Sequence, residues 1–438
     1  MKDAFFGLSE TLGRNLGKDE ILLCNFAGER SDFVRFNQGK VRQAGSVEQR
    51  VVSLRLVRAR RQASASISIA GTKEDAEVLN RALADLREVL AELPEDPWLL
   101  INETPQSSSS ERRGTIAAAE EVVRQVVSAA RGRDLVGFYA GGTLYRGFAN
   151  SLGQHNWHEV DSFNFDCSLY LEEDKAVKTG YAGFEWEEAV LAQKLGAAAS
   201  ELELLGLPRR TIEPGEYRAY LSPRALDELT GLLCWGGFSA RARATKQSPL
   251  LRMQQGETLS SQLTVRENTG DGIAPGFQGD GFVKPSSVTL ISAGELGDAL
   301  ISPRSAKEYD LATNAANGRE SPESLELAPG RLAQDELLQA LDRGLYISNL
   351  WYLNYSDRPA GRITGMTRFA TFWIEGGRIV APLTPMRFDD SIYRLLGDNL
   401  LDLTRERDLL LDSSTYGERS TSSARLPGAL LRSLKLTL

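Results

Sequence analysis

Histidine is nearly absent from this chain. Two occur in 438 residues, His155 and His158, and they lie together in His155-Asn-Trp-His158-Glu159. Neither the HExxH nor the HxxEH order is present, so no helix carries a zincin-type pair. Cysteine is almost as scarce. Cys24, Cys167 and Cys234 are far apart and form no CxxC pair, which points to free, mostly buried thiols. No GxSxG nucleophile elbow occurs. No apolar run approaches the ~18 residues of a membrane span. The first twenty residues, MKDAFFGLSETLGRNLGKDE, are too polar for a signal-peptide core. The expectation is a cytoplasmic protein with no membrane partner.

A surplus of positive charge is lacking too. The net charge is −8, from 51 basic and 59 acidic residues, which argues against nucleic acid as a partner. The charge is uneven, however. Between Arg30 and Arg61 there are nine basic residues against Asp32 and Glu48. Such a patch is one way to meet nucleic acid. It also lies in alternating, strand-like sequence, where outward side chains are commonly charged.

What is present is ordinary globular composition, long enough for two or three domains. Residues 1–17 read as a short amphipathic helix. Residues 21–34, 47–58 and 63–69 read as strands, and FVRFNQGKVRQAG between the first two contains a turn. Thr72 is placed as a helix N-cap with Asp75 three residues on. Leu79, Leu83, Leu86, Leu90 and Leu93 then recur on one helical face until Pro94. ETPQSSSSERR at 103–113 is a polar linker, and 115–131 is a second helix. Strand pairs follow, with Gly141-Gly142 at a tight turn and a joint near Glu173-Asp174. Residues 186–205 form another helix.

The second half has a strand at 215–223, a helix at 223–235 opened by Pro223, and loops with short strands at 236–287. A strand at 288–292, a helix at 333–343, a hairpin around Glu375-Gly376-Gly377 and a helix at 389–403 complete it. The fold class is α+β. An antiparallel sheet with packed helices fills residues 1–206, and a β-rich part with few helices fills 207–438.

Few constellations carry chemistry. His155 and His158 are weak metal candidates, because residues three apart on a strand point to opposite faces. Asp227 and Glu228 are adjacent acids on the 223–235 helix. They read as a solvated face or as ligands for a hard cation. GFQGDGF at 276–282 lacks the strand–turn–helix setting of a dinucleotide loop. Residues 344–393 differ in kind, concentrating aromatics, arginines and amides. Asn349, Trp351, Asn354, Tyr355, Arg362, Thr364, Arg368 and Arg387 are its peptide-cleft candidates, since amides and hydroxyls can read an extended backbone. Turn chemistry at Asn-Tyr-Ser-Asp and packing of Trp351, Phe369, Phe372 and Trp373 account for the same residues structurally.

The block NLWYLNYSDRPAGRITGMTRFATFWIEGG, with PMRFDDSIY after it, resembles the TldD/PmbA family, once called modulators of DNA gyrase, on its PmbA or TldE-like side. FVRFNQGKVRQAG, FANSLG and NAANGRESPESLELAPG match it more weakly, in the expected order. The resemblance implies a heterodimeric cytoplasmic protease that trims unfolded or precursor peptides. Zinc sits in the TldD-like catalytic subunit, on a helix with HExxxH and a later cysteine. Here the 223–235 helix has Asp227 and Glu228 but no histidine, and the 412–425 tail has no cysteine. The resemblance therefore implies a metal-free subunit that needs a TldD-like partner, with a homodimer possible in isolation. Two alternatives stand beside it. One is a metallopeptidase with an unorthodox site at His155, His158 or the Asp227/Glu228 helix. The other is a non-enzymatic regulator of a topoisomerase or another nucleic-acid protein.

Overall fold

A computed structural model describes residues 1–172 and 175–437. The first sheet contains β1 (Ile21–Asn37), β2 (Lys40–Arg58), β3 (Arg61–Ser68), β4 (Ser108–Arg112), β5 (Asp134–Asn150), β6 (His155–Glu172) and β7 (Lys175–Gly183). Its order is β3-β2-β1-β5-β6-β4, with β7 also on β6. Only β4 runs parallel to its neighbour. The predicted joint at Glu173-Asp174 lies outside the described residues. The turn between β1 and β2 narrows to Gln38-Gly39, both left-handed at φ 52° and 66°. That conformation matches the twist of a two-residue hairpin.

Four helices cover this sheet: α1 (Lys2–Gly13), α2 (Asp75–Glu92), α3 (Ala119–Ala129) and α4 (Glu188–Leu205). The leucine face read from the sequence of α2 buries Leu79, Leu83, Leu86 and Leu90 against Leu22, Cys24, Phe26 and Leu54. Farther along the sheet, Val122 and Val126 of α3 and Leu191 and Leu195 of α4 meet Val34, Phe36, Tyr139 and Phe165. The alternate residues of β1 serve the second half. Leu23 packs with Phe277, and Ser31 meets Arg419. The period of two along a strand thus ties β1 to two layers.

The second half opens with β8 (Gly215–Leu221) and α5 (Pro223–Cys234). Short helices α6 (Ala240–Ala244) and α7 (Leu251–Gln254) follow. Then come β9 (Val265–Glu267), β10 (Val288–Ser292), β11 (Glu295–Leu296), α8 (Pro303–Tyr309), β12 (Ser324–Leu327) and α9 (Leu337–Leu341). The remainder is β13 (Gly344–Asp357), β14 (Arg362–Glu375), β15 (Arg378–Pro382), β16 (Arg387–Ser391), α10 (Ile392–Leu395), β17 (Leu400–Leu411) and β18 (Ser423–Leu436). β8 pairs with both β13 and β18, so β8-β13-β14-β16-β18 closes on itself. Leu226, Leu229, Leu232 and Leu233 of α5 share a core with Leu345, Ile347, Ile363 and Leu431 of those strands.

Several expectations are corrected. The 103–113 stretch, read as a linker, holds β4, which pairs in parallel with β6. Gly141-Gly142 is no turn: β5 runs straight through, and Gly142 pairs with Ser31 on one side and Ser162 on the other. Its φ is 146°, and a Cβ there would lie 2.1 Å from the Arg30 carbonyl oxygen. The glycine serves close strand approach, which sequence cannot distinguish from a turn. The expected 389–403 helix shrinks to α10. Asp389 belongs to β16, and β17 begins at Leu400. Long-range pairing of Leu403 with Ala429 and Leu410 with Ala424 overrides the local leucine pattern.

Candidate functional site

α5 begins where β8 ends. The Ser222 hydroxyl accepts a hydrogen bond from the Ala225 N–H at 3.2 Å, and Pro223 occupies the first turn. Apolar residues of the helix point into the closed strands, which leaves Arg224, Asp227 and Glu228 facing β6 and β7. They line a cavity of about 200 Å³ together with Asp166, Lys178 and Asn349, under residues 409–413 of the closing chain.

The charges here are unevenly paired. Lys178 Nζ and Arg224 Nη1 both reach Asp166 Oδ2, at 3.5 and 3.3 Å. Asp227 and Glu228 have no ion pair or side-chain hydrogen bond among the described residues. Burial, then the neighbouring Glu228 charge, pushes the Asp227 carboxyl up to about 6. Burial also raises Glu228. Asn349 is 7% exposed. Its Oδ1 accepts from the Ser348 hydroxyl at 3.0 Å, while its Nδ2 has no partner among the described residues.

Of the eight cleft candidates, Asn349 lines this cavity and the other seven do not. Asn349 pairs in register with Arg368 on β14. The Arg368 guanidinium stacks over exposed Trp351 at 4.0 Å and over Phe369 at 5.2 Å. Phe369, with φ 56°, lines an adjoining cavity of about 460 Å³ with Arg35, Arg42 and Phe138. Asn354 Oδ1 accepts from the Tyr355 N–H at 2.8 Å. The Tyr355 hydroxyl donates to the Leu232 carbonyl at 2.8 Å, satisfying an end carbonyl of α5. Arg387 donates to Thr364 Oγ1 at 3.1 Å and to Asp389 at 3.0 Å, on the β14–β16 surface. Arg362 starts β14 opposite Ser391. The block is thus several separate contacts.

The two histidines have separate roles. His155 stacks on Phe6 at 4.5 Å. His158 is held between the Ser110 hydroxyl at 2.8 Å and the Ile273 carbonyl at 3.1 Å. Burial pushes its pKa down to about 4. Burial pushes the Cys234 thiol up to about 12. Among the described residues no three His, Cys, Asp or Glu side chains converge as a metal cluster. The cavity at α5 offers carboxylates with no imidazole or thiolate, a donor set that does not fit zinc. Asp166, Lys178 and Arg224 were not singled out from the sequence. They come from strands and a helix far apart in the chain, and nothing local marks them.

The PmbA/TldA metallopeptidase C-terminal domain model matches residues 214–437. The chain belongs to the TldD/PmbA family. A search of curated proteins finds no match. Among solved structures, this TldD/PmbA member is similar to TldE from Thermococcus kodakarensis. The two are 13% identical with a TM-score of 0.83, over 99% of this chain and 100% of that one. It is also similar to a candidate modulator of a DNA gyrase from Thermotoga maritima, at 15% identity and a TM-score of 0.76, over 100% and 99%. A Bacteroides thetaiotaomicron protein of the same description matches at 14% and 0.76, over 100% and 98%. At these identities the shared property is the fold. Among the described residues no helix is long and apolar enough to cross a membrane.

Proposed function

We propose that this chain is a TldE-like, non-catalytic subunit that joins a TldD-like, zinc-bearing chain in the cytoplasm and helps it act on unfolded or precursor peptides. The observation that carries the reading is α5. It faces a cavity between the two sheets, as a catalytic helix would, yet presents Arg224, Asp227 and Glu228 without a histidine. Zinc chemistry then belongs to the partner. Likeness of fold to TldE along the whole chain supports the same reading.

The test is reconstitution. The purified chain, mixed with a TldD-like protein, is expected to give peptidase activity that needs both chains and is lost with a zinc chelator. The chain alone is expected to be inactive. Chelator-sensitive cleavage by this chain alone would overturn the assignment.

A further inference from the structure

Two β-bulges, one in each sheet, converge on the cavity beside Phe369. In β2 the extra residue is Arg42, between Val41 opposite Phe36 and Gln43 opposite Arg35. In β14, Phe369 and Ala370 stand against Ser348 alone, and Phe369 is held at φ 56°. A bulge re-aims a side chain, and an aromatic residue in the left-handed region is strained. Arg42 and Phe369 line the same space, with Arg35, Phe138 and Lys178. Its volume of about 460 Å³ falls within the ~300–1,000 Å³ of ligand sites.

The charge left over in this cavity is positive. Lys178 is tied to Asp166. The guanidinium groups of Arg35 and Arg42 make no ion pair or hydrogen bond among the described residues, and Arg35 lies over the Phe138 ring at 5.9 Å. The rest of the Arg30–Arg61 stretch differs. Arg30 and Arg50 meet Glu48, Arg55 meets Asp280 and Arg58 meets Glu20. Four of its nine basic residues are thus neutralised, which breaks the cationic track that a phosphate backbone follows. Arg35 and Arg42 stay free, and they share one cavity.

The surface continues past the cavity. Arg368 stacks over Phe369 at 5.2 Å and over Trp351 at 4.0 Å, without an ion pair among the described residues. Tyr352 is 76% exposed, and its ring lies 5.4 Å from that of Trp351. Aromatic faces and free guanidiniums therefore alternate from Phe138 to Tyr352. That row is too long for a single small anion. It matches a chain that carries carboxylates beside aromatic side chains, because a guanidinium fork pairs with a carboxylate and aromatic rings stack on rings and cations. We infer that this row binds an acidic stretch of an extended peptide, with carboxylates at Arg35 and Arg42 and a neighbouring aromatic side chain against Phe369. This rests on the reading that the chain handles peptides, and it adds the class of segment that this subunit holds.

The experiment is calorimetric titration of the full-length chain, without a partner, with two peptides blocked at both ends. They are acetyl-Gly-Asp-Phe-Asp-Gly-amide and acetyl-Gly-Asn-Phe-Asn-Gly-amide. The acidic peptide is expected to bind at least tenfold tighter than its amide counterpart. Arg35→Gln combined with Arg42→Gln is expected to abolish that preference and to leave the melting midpoint and the weak binding of the amide peptide unchanged. Arg432→Gln, at an exposed position outside the cavity, is expected to keep the preference. Equal binding of the two peptides, no binding of either, a preference that survives the double variant, or an equal loss in Arg432→Gln would each overturn the inference. So would hexathymidylate binding more tightly than the acidic peptide. Reconstituted zinc-dependent activity is a separate readout, so failure here and failure of the subunit assignment are distinguishable.

Discussion

Glu267 shows what burial does to one side chain. It ends β9 at 6% exposure, and its carboxylate accepts the N–H groups of Glu323 and Ser324, each at 3.0 Å. Burial outweighs those bonds and pushes the acid up to about 7 from an ordinary 4.5. Between those values the folded chain holds a proton that the unfolded chain has released. This group therefore favours folding progressively as pH falls through the window and opposes it above pH 7. Glu267→Gln keeps an acceptor oxygen and removes the charge. It is expected to stabilise the protein by about 2–3 kcal/mol at pH 8 and by less than about 1 kcal/mol at pH 5, read by urea denaturation. An equal effect at both pH values would refute the charge argument. Such residues are the least legible in sequence. Glu267 looks like any strand glutamate, and Asp166 becomes part of a site only because Lys178 and Arg224 arrive from elsewhere. Asn349 was visible, because a strand that places an amide among aromatics is unusual. The histidine pair was legible as two separate residues, because strand geometry sends neighbours three apart to opposite faces.

Elements were legible where one face repeats. The apolar stripe of α2 appears in the sequence, and the bounds read for α4 and α5 lie within two residues of those observed. They failed where local pattern competes with distant pairing, as at β17, or where a glycine has two possible uses, as at Gly142. The start of α2 lies between these cases. The sequence places the cap at Thr72, but the helix begins at Asp75. Its carboxylate accepts the N–H groups of Ala70, Gly71 and Thr72 at 2.9, 2.7 and 2.9 Å. One buried acid thus orders the turn joining β3 to the helix and sits favourably at a helix start. Charge-assisted bonds of this type are worth about 1.5–3 kcal/mol each when charge is involved, and they are not additive. Asp75→Ala is expected to cost about 2–3 kcal/mol, and Asp75→Asn about half as much. Chemical denaturation should show a lower midpoint with an unchanged slope. No change in midpoint would assign the turn to its backbone alone.

At the scale of the molecule, the family was legible in one block, but the contacts that join the two sheets were not. Most come from loops of the second half. Arg112 donates to the Asp271 and Gly272 carbonyls, each at 3.1 Å. The Asn102 N–H donates to the Asp280 carbonyl at 2.8 Å. The 412–422 loop between β17 and β18 crosses furthest. Tyr416 at its crest is fully exposed, while Arg419 is 5% exposed. The Arg419 guanidinium donates to the Ser162 carbonyl at 2.7 Å, the Ser162 hydroxyl at 2.8 Å and the Gly142 carbonyl at 3.2 Å. Buried Glu29 lies beside it and accepts from the Gln49 amide at 2.6 Å. Gln49 also donates to the Gly417 carbonyl at 2.7 Å. Burial lowers the Arg419 pKa to about 10, far above neutrality, so the group stays charged. One loop residue thus fixes the C-terminal half on β1, β5 and β6, over the strands that lead to the α5 cavity. Removing the side chain leaves the Ser162 and Gly142 carbonyls without this donor, while the Arg419 backbone N–H still faces Glu29. Arg419→Ala is expected to cost about 2–4 kcal/mol, because the bonds lost come from one buried charged donor and are not additive. Arg419→Lys is expected to recover only part, because an ammonium cannot reproduce the planar fork that spans Ser162 and Gly142. The distinguishing measurement is limited proteolysis beside a thermal melt. If Arg419 joins the halves, cleavage within 412–422 rises at least tenfold in Arg419→Ala, before the remaining chain unfolds. A lower melting point with no change in loop cleavage would make Arg419 a core residue of the first sheet only.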